Sequence, residues 1–260
     1  MSRLDEVFSR CRDEGRAALV AYLPAGYPDL AASVAAVRVL AEAGADIVEV
    51  GVPYTDPLMD GPVVQRAATA ALKNGFRLSQ VFDVVRAVAE AGAVPVVMAY
   101  WNPVLRYGPG RFATDLAAAG GAGLITPDLI PDEAGAWRAA ADEHGLAPIF
   151  LVAPSSTDER LRMTVEACRG FVYVAATMGV TGVRSSVGAS ARTLVERTRS
   201  LTDLPLCVGL GLSTGDQAAE VAAFADGAIV GSALVRAVGE DPTLGRLREL
   251  TQELAEGVRR

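Results

Sequence analysis

Three carboxylates, Glu49, Asp56 and Asp60, crowd the stretch Asp46-Ile47-Val48-Glu49-Val50-Gly51-Val52-Pro53-Tyr54-Thr55-Asp56-Pro57-Leu58-Met59-Asp60-Gly61-Pro62. Apolar β-branched residues flank Glu49 on both sides, the pattern of a strand buried on both faces rather than one alternating with water. A carboxyl placed there loses its hydration, so its acid form persists towards neutral pH. The alternative, a structural carboxylate satisfied by backbone donors, has to meet the cost of a buried charge, and such costly exceptions gather at functional sites. Prolines and glycines break the following segment into a loop. Asp60, on that loop, is expected to be more solvated and to stay ionised. Two acids in unlike surroundings form an acid and base pair with divided roles. Asp56, directly before Pro57, reads as a turn former.

Other chemistries are short of residues. The chain has one histidine, His144, and one lysine, Lys73. His144 precedes Gly145 at the end of a helical segment, where a cation suits the helix dipole. Lys73 precedes Asn74-Gly75 at another helix end. A histidine-built metal site, a histidine base and a lysine Schiff base are therefore not expected, which leaves carboxylates and tyrosines for proton transfer. Cys11, Cys168 and Cys207 form no CxxC pair and fit structural thiols in a reducing cytoplasm. The net charge of −7 and the lack of a basic run argue against nucleic acid or an anionic membrane as partner. The N-terminus lacks the apolar core of a signal peptide, and no apolar run approaches a membrane span.

The elements that must position these acids follow a rhythm. A leading helix takes its face from Leu4, Val7, Phe8 and Cys11. Strands are read at 17–23, 46–51, 94–100, 123–126, 148–153, 171–175, 205–208 and 228–230, with helices at 30–42, 64–73, 78–90, 109–119, 132–143, 159–167, 189–199 and 214–224. Ala-Glu-Ala-Gly at 41–44 and 89–92, and Ala-Ala-Ala-Gly at 117–120, each end a helix on a glycine just before a strand. Eight such strands in a single domain spanning 1–260 predict a (β/α)₈ TIM barrel with an extra N-terminal helix. No GxGxxG follows the first strand, which disfavours an open doubly wound sheet.

In a barrel, the strand carboxyl ends and the loops after them build the site. Glu49, Asp60, Tyr100, Asn102, Asp128 and Tyr173 would then converge on one mouth. Gly209-Leu210-Gly211-Leu212-Ser213 and Gly231-Ser232 follow the last two strands, where backbone N–H groups at a helix start suit a phosphate, with Gly179 to Gly182 as a third such loop. Cleaving a carbon–carbon bond in a sugar phosphate calls for an electron sink, a lysine Schiff base or a metal ion. With neither expected, the reaction is milder or the substrate carries its own sink. A phosphosugar isomerase using Glu49 as base would lack the usual electrophilic lysine or histidine.

The acidic stretch closely resembles the signature of the tryptophan synthase alpha chain family. Tyr100-Trp101-Asn102-Pro103, Pro127-Asp128-Leu129, Ala153-Pro154-Ser155-Ser156-Thr157, Gly179-Val180-Thr181-Gly182, Val208-Gly209-Leu210-Gly211-Leu212-Ser213 and Val230-Gly231-Ser232 extend the similarity over essentially the whole chain. The resemblance implies cleavage of indole-3-glycerol phosphate to indole and glyceraldehyde 3-phosphate, in which the protonated indole is the electron sink. It implies that Glu49 protonates indole C3 and that Asp60 hydrogen-bonds the ring N–H. It further implies an active-site role for Tyr173, packing of Tyr22 on the indole, substrate contacts from Tyr100, and phosphate binding by Gly182, Gly211, Gly231 and Ser232, with Thr181 on a closing loop. No metal or cofactor is implied for this chain. Pyridoxal phosphate would belong to a beta chain partner in an alpha2beta2 heterotetramer, contacted by the loops of Asp56, Pro57 and Asn102. A catalytically weak regulatory subunit that binds a phosphorylated ligand is the alternative. The chain departs from the family pattern at Thr177, Met59 and Ala122, which bears on loop closure and turnover rather than on the reaction.

Overall fold

The computed structural model describes residues 2–176, 184–209 and 211–260, with the backbone alone over 184–188. Helix α1 (Arg3–Asp13) leads, and a capping box starts it: the Asp5 N–H donates to Ser2 Oγ and the Ser2 N–H to Asp5 Oδ2. Among the described residues nine parallel strands follow: β1 (Ala18–Pro24), β2 (Ile47–Gly51), β3 (Val94–Met98), β4 (Gly123–Ile125), β5 (Ala147–Ile149), β6 (Leu151–Val152), β7 (Val172–Ala175), β8 (Leu206–Gly209) and β9 (Gly227–Val230). Their spatial order is β5-β4-β3-β2-β1-β9-β8-β7-β6.

The two ends of that order, β5 and β6, are separated in the chain only by Phe150, so they are one barrel stave and the sheet closes on itself. The sequence reading has one strand here. It is interrupted because the Phe150 N–H donates to the buried Cys168 Sγ at 3.3 Å instead of to a neighbouring strand, while the Phe150 carbonyl accepts from Tyr173 N–H at 3.1 Å. Nine strands therefore make eight staves, the expected TIM barrel.

The helices between the staves are α2 (Leu30–Glu42), α3 (Pro62–Lys73), α4 (Val81–Glu90), α5 (Trp101–Tyr107), α6 (Pro109–Ala118), α7 (Gly135–His144), α8 (Asp158–Ala167), α9 (Arg184–Arg199), α10 (Gly215–Ala222), α11 (Ser232–Glu240) and α12 (Gly245–Gly257). Gly44, Gly92 and Gly120 all take positive φ, so the repeated helix-ending motif marks a real turn geometry that side chains resist. His144 ends α7 before a left-handed Gly145, as expected.

Three helices lie beyond the sequence reading. Helix α5 forms where Tyr100 and Asn102 are read as strand: β3 stops at Met98, and Pro103 is tolerated in the first helical turn, where its missing N–H has no intrahelical acceptor. The Asp128 carboxylate accepts the Trp101 N–H at 2.8 Å and closes that helix start. Helices α11 and α12 follow the last strand, and Leu247, Leu254, Ala255 and Val258 bury the apolar face around α12.

Two cores hold the barrel. Between staves and outer helices, Leu19, Val48, Val97, Phe112, Trp137 and their neighbours form the larger one. Inside the staves, Val20, Ile47, Val96, Ile149, Phe171 and Cys207 pack with Leu4, Val7, Phe8 and Cys11 of α1, which plugs the amino-terminal end of the barrel. Phe8 meets Phe171 edge-on at 5.9 Å. Ala122 belongs to this lower layer, next to the start of β4 and at the opposite end of the barrel from the acidic loop. All three cysteines are buried, and desolvation pushes the Cys11 thiol to about 11 and the Cys168 thiol to about 12, so they are packing groups.

Candidate active site

Above the apolar layer the barrel interior changes character. Glu49 lies mid-way along β2, 1% exposed, paired in register with Tyr22 of β1 on one side and Val96 of β3 on the other. Its side chain shares the inward face with Ile47, because side chains along a strand alternate. Glu49 Oε2 has no hydrogen-bond partner. Burial, and then the charge of Asp60, push the Glu49 carboxyl from 4.5 to about 8. At neutral pH it is therefore largely a neutral acid, able to give a proton and then to take one back.

Asp60 lies in the loop between β2 and α3. It is half-buried, more solvated than Glu49: desolvation raises its carboxyl, opposed by the Tyr100 hydroxyl. Tyr100 is 4% exposed and precedes α5; its hydroxyl accepts the Met59 N–H at 2.9 Å, and its ring lies 5.5 Å from that of Tyr54. Gln65 Nε2 donates to the Asp60 carbonyl at 2.8 Å, and Asn102 Nδ2 to the Tyr54 hydroxyl at 3.0 Å. The loop carrying Asp60 is thus tied to α3 on one side and to the start of α5 on the other.

Two tyrosines complete the inner wall, and glycines make room for them. An added Cβ at Gly51 would lie 2.4 Å from the Tyr22 hydroxyl, and one at Gly209 would lie 2.7 Å from the Tyr173 hydroxyl, so neither position accepts a side chain without moving its tyrosine. Burial pushes both phenols well above their ordinary range. A cavity of about 210 Å³ opens over these groups. Tyr22, Glu49, Asp60, Tyr173, Gly211, Gly231 and Ser232 line it, together with Met59, Gly61, Val64, Met98, Gly209 and Ile229.

The cavity wall ends at a helix start. Ser232 opens α11, and its cap residue Gly231 supplies no side-chain hydrogen bond, so the first-turn N–H groups are open to an anion. The neighbouring α10 is differently placed: the Gly215 N–H already donates to Glu253 Oε1 at 2.8 Å, and Thr214 Oγ1 accepts from Gln217 N–H at 3.3 Å. Of the two helix starts, that of α11 is the one without a side-chain cap.

The structure brings Glu49, Asp60, Tyr173, Tyr22, Gly211, Gly231 and Ser232 to one cavity. Thr181 and Gly182, like Gly179 and Thr177, lie outside the described residues. Tyr100 is absent from the cavity wall and grips the Asp60 loop from behind. Asp128 and Asn102 are tied into the start of α5 rather than aimed at the mouth, and Asp56 is exposed, accepting from Thr55 Oγ1 at 2.6 Å. Sequence reasoning missed Met98 and Ile229 as wall residues; their inward parity with Val96 and with Gly227 is the signal that finds them. No Lys, Arg or His lines this cavity among the described residues.

A family model described as tryptophan synthase alpha chain matches residues 8–259. The tryptophan synthase alpha chain of Mycobacterium avium is 61% identical over 258 residues, 99% of this chain and 95% of that one. The one from Nocardia farcinica is also 61% identical, over 99% of this chain and 96% of its own. A solved structure of Mycobacterium tuberculosis tryptophan synthase superposes with a TM-score of 0.94 at 61% identity, covering 100% of this chain and 99% of that chain. The alpha subunit from Legionella pneumophila str. Paris does so at 0.89 and 31% identity, covering 99% and 98%. With one family model spanning nearly all of its length and relatives this similar end to end, the chain belongs to the tryptophan synthase alpha chain family.

Proposed function

We propose that this chain is a carbon–carbon lyase of tryptophan biosynthesis, cleaving indole-3-glycerol phosphate to indole and glyceraldehyde 3-phosphate. The observation that carries the reading is Glu49: a buried, protonated carboxyl with an unpartnered oxygen, facing a second acid across a cavity whose described walls hold no cation. Neutral Glu49 gives its proton to indole C3, and the ring nitrogen becomes cationic. As the bond to the glycerol carbon breaks, its electrons flow into the ring, and the Glu49 carboxylate takes the proton of the adjacent hydroxyl, which becomes the aldehyde carbonyl. Indole and the neutral acid are regenerated. Asp60 accepts from the ring N–H and stabilises the positive charge that develops there, an electrostatic role that needs its anion.

Gly211, Gly231 and Ser232 would hold the phosphate over the start of α11, with Thr181 and Gly182 contributing from outside the described residues. Tyr173 would contact the glycerol portion, and Tyr22 would pack on the indole. This chain needs no cofactor of its own on that chemistry, because the protonated indole is the electron sink. The partner we infer is a tryptophan synthase beta chain that carries pyridoxal phosphate and takes up the indole, in an alpha2beta2 heterotetramer in the cytoplasm. Leu58 and Met59 on the loop after β2, Leu105 on α5 and Ile130 on the loop after β4 are exposed by 77%, 50%, 53% and 39%, an apolar surface suited to such a contact. Among the described residues no helix is long and apolar enough to cross a membrane. A single domain over 1–260 accommodates all of these groups. Family membership and the desolvated Glu49 favour the lyase over a merely regulatory subunit.

The test is direct. Purified chain given indole-3-glycerol phosphate, with and without beta chain, is followed for indole. Glu49→Gln should abolish release while a phosphorylated ligand still binds; an unchanged rate would overturn the assignment.

A further inference from the structure

The mouth poses an electrostatic problem that the two acids do not solve. Asp60 has to be an anion beside a buried Glu49, yet the described cavity walls carry no cation to hold it so. The titratable groups facing Asp60 are Glu49 from β2, Tyr22 from β1, Tyr100 ahead of α5 and Tyr173 from β7. Among the titratable side chains facing it, only the tyrosine hydroxyls can donate to its charged form. Tyr100 already reaches the loop from behind. Tyr22 shares the cavity with Asp60: its ring packs against Gly231, with an added Cβ there 3.3 Å from Tyr22 Cδ1, and its hydroxyl lies over Gly51, one inward position nearer the mouth than Glu49. That hydroxyl makes no hydrogen bond among the described residues and, like Asp60, lines the cavity.

We propose that Tyr22 is a positioning residue whose hydroxyl donates to the Asp60 carboxylate once substrate fills the mouth, fixing that carboxylate as an anion turned towards the indole nitrogen. The inference rests on the lyase reading and deepens it. It assigns the phenol a duty separate from the packing of its ring, one that phenylalanine would not perform. Tyr22 and Tyr100 then hold Asp60 from two sides, where the described walls offer no lysine or arginine. A cation in this position would also oppose the charge developing on the indole ring, so a neutral donor suits the chemistry better.

The experiment compares wild type with Tyr22→Phe and Tyr22→Leu. Carbon-detected NMR of chain labelled at aspartate carboxyls, with 3-indolepropanol phosphate bound as a non-cleavable probe, gives the Asp60 midpoint directly; the Asp60 signal is identified by its loss in Asp60→Asn. In both variants that midpoint should rise by about half to one pH unit. The acid limb of kcat for indole-3-glycerol phosphate, which reports the substrate-bound enzyme, should move with it, while the alkaline limb set by Glu49 stays in place. Unchanged Asp60 midpoints overturn the proposal. So does a rate lost in Tyr22→Leu but kept with the wild-type profile in Tyr22→Phe, which would leave the ring alone as the useful part. Should the wild type release no indole, the lyase reading fails separately, and the carboxyl titration still decides the role of Tyr22.

Discussion

Asp46, just before β2, and Glu49, mid-way along it, stand three residues apart, both buried, and the molecule treats them in opposite ways. Asp46, 7% exposed at the amino-terminal end, accepts from Arg16 through its two terminal guanidinium nitrogens at 2.8 Å, from Leu19 N–H at 3.0 Å and from Arg10 at 3.3 Å. Desolvation pushes its carboxyl up, but the Arg16 bonds, the Leu19 N–H and the two positive charges together bring it below its ordinary value. Glu49 meets the same desolvation with none of that help, and rises to about 8. Burial alone therefore does not make an acid reactive. The partners supplied or withheld decide between a structural anion and a proton donor, and withholding them is costly enough to mark a site.

The largest expected effects come from exchanging the two treatments. Glu49→Gln should lower indole release by about 10²- to 10⁴-fold, the range for losing a positioned general acid, without loss of thermal stability. Asp46→Ala should do the reverse. It strands the buried Arg16, a change that costs about 3–5 kcal/mol, read in a denaturant titration, with the folded fraction keeping its pH profile. A comparable loss of stability in Glu49→Gln would erase the distinction.

The pH dependence of stability sharpens it. Glu49 binds its proton more tightly folded than unfolded, so its contribution to stability declines as pH rises from 4.5 to about 8 and is constant beyond. Asp46 has the lowered value, so its contribution is complete above its unfolded value near 3.8 and is lost as pH falls through the folded one. Unfolding free energies of Glu49→Gln and wild type should converge near pH 4.5 and separate towards pH 8, the variant being the more stable by on the order of 4 kcal/mol. Asp46→Asn should diverge from wild type at neutral pH and approach it in acid. Parallel curves for either variant would contradict its assignment.

The same contrast explains what was legible in the sequence. Glu49 announces itself because its immediate neighbours are apolar and β-branched, a local signal. The barrel is legible for a similar reason: the glycine that ends α2, α4 or α6 is written within a few residues of the strand it feeds. Asp46 gives no such signal, since its partners Arg10 and Arg16 lie on and just beyond α1 and meet it only when that helix plugs the barrel. Tyr100 is legible near the mouth because it ends the strand read at 94–100, but its grip on Met59 depends on where β3 stops and α5 begins, a boundary set by Asp128 from the next stave. The break at Phe150 comes from a sulfur eighteen residues further on. Contacts closed by tertiary structure stayed hidden, and those carried by neighbours in the chain did not.

Between the two extremes sits Asp60, half-buried and held by hydroxyls. Tyr100→Phe removes the acceptor of the Met59 N–H and a donor that favours the Asp60 anion. The expected loss of stability is about 1 kcal/mol, as for a single buried hydrogen bond. Turnover should fall by roughly tenfold, with faster hydrogen exchange at the Met59 amide as the accompanying sign. A slower rate with unchanged exchange would mean that Tyr100 acts on substrate and not on the loop.

The smallest expected effect tests whether number of partners or their burial protects Asp46. Arg10 and Arg16 both carry a full charge near the same carboxylate, but the Arg16 side chain is 5% exposed and the Arg10 side chain 54%. Water screens Arg10 and competes for its single 3.3 Å contact, whereas Arg16 is held by two shorter bonds to Asp46 and one to Glu14. Arg10→Ala should therefore cost less than about 1 kcal/mol, and less again in high salt, the behaviour of an exposed ion pair. Arg16→Ala should approach the cost of Asp46→Ala and be insensitive to salt, because it leaves the carboxylate buried with the Leu19 N–H as its main remaining donor. Equal costs for the two arginines, measured by urea titration at low and high salt, would show that long-range charge, not a desolvated bidentate contact, keeps the lower acid ionised.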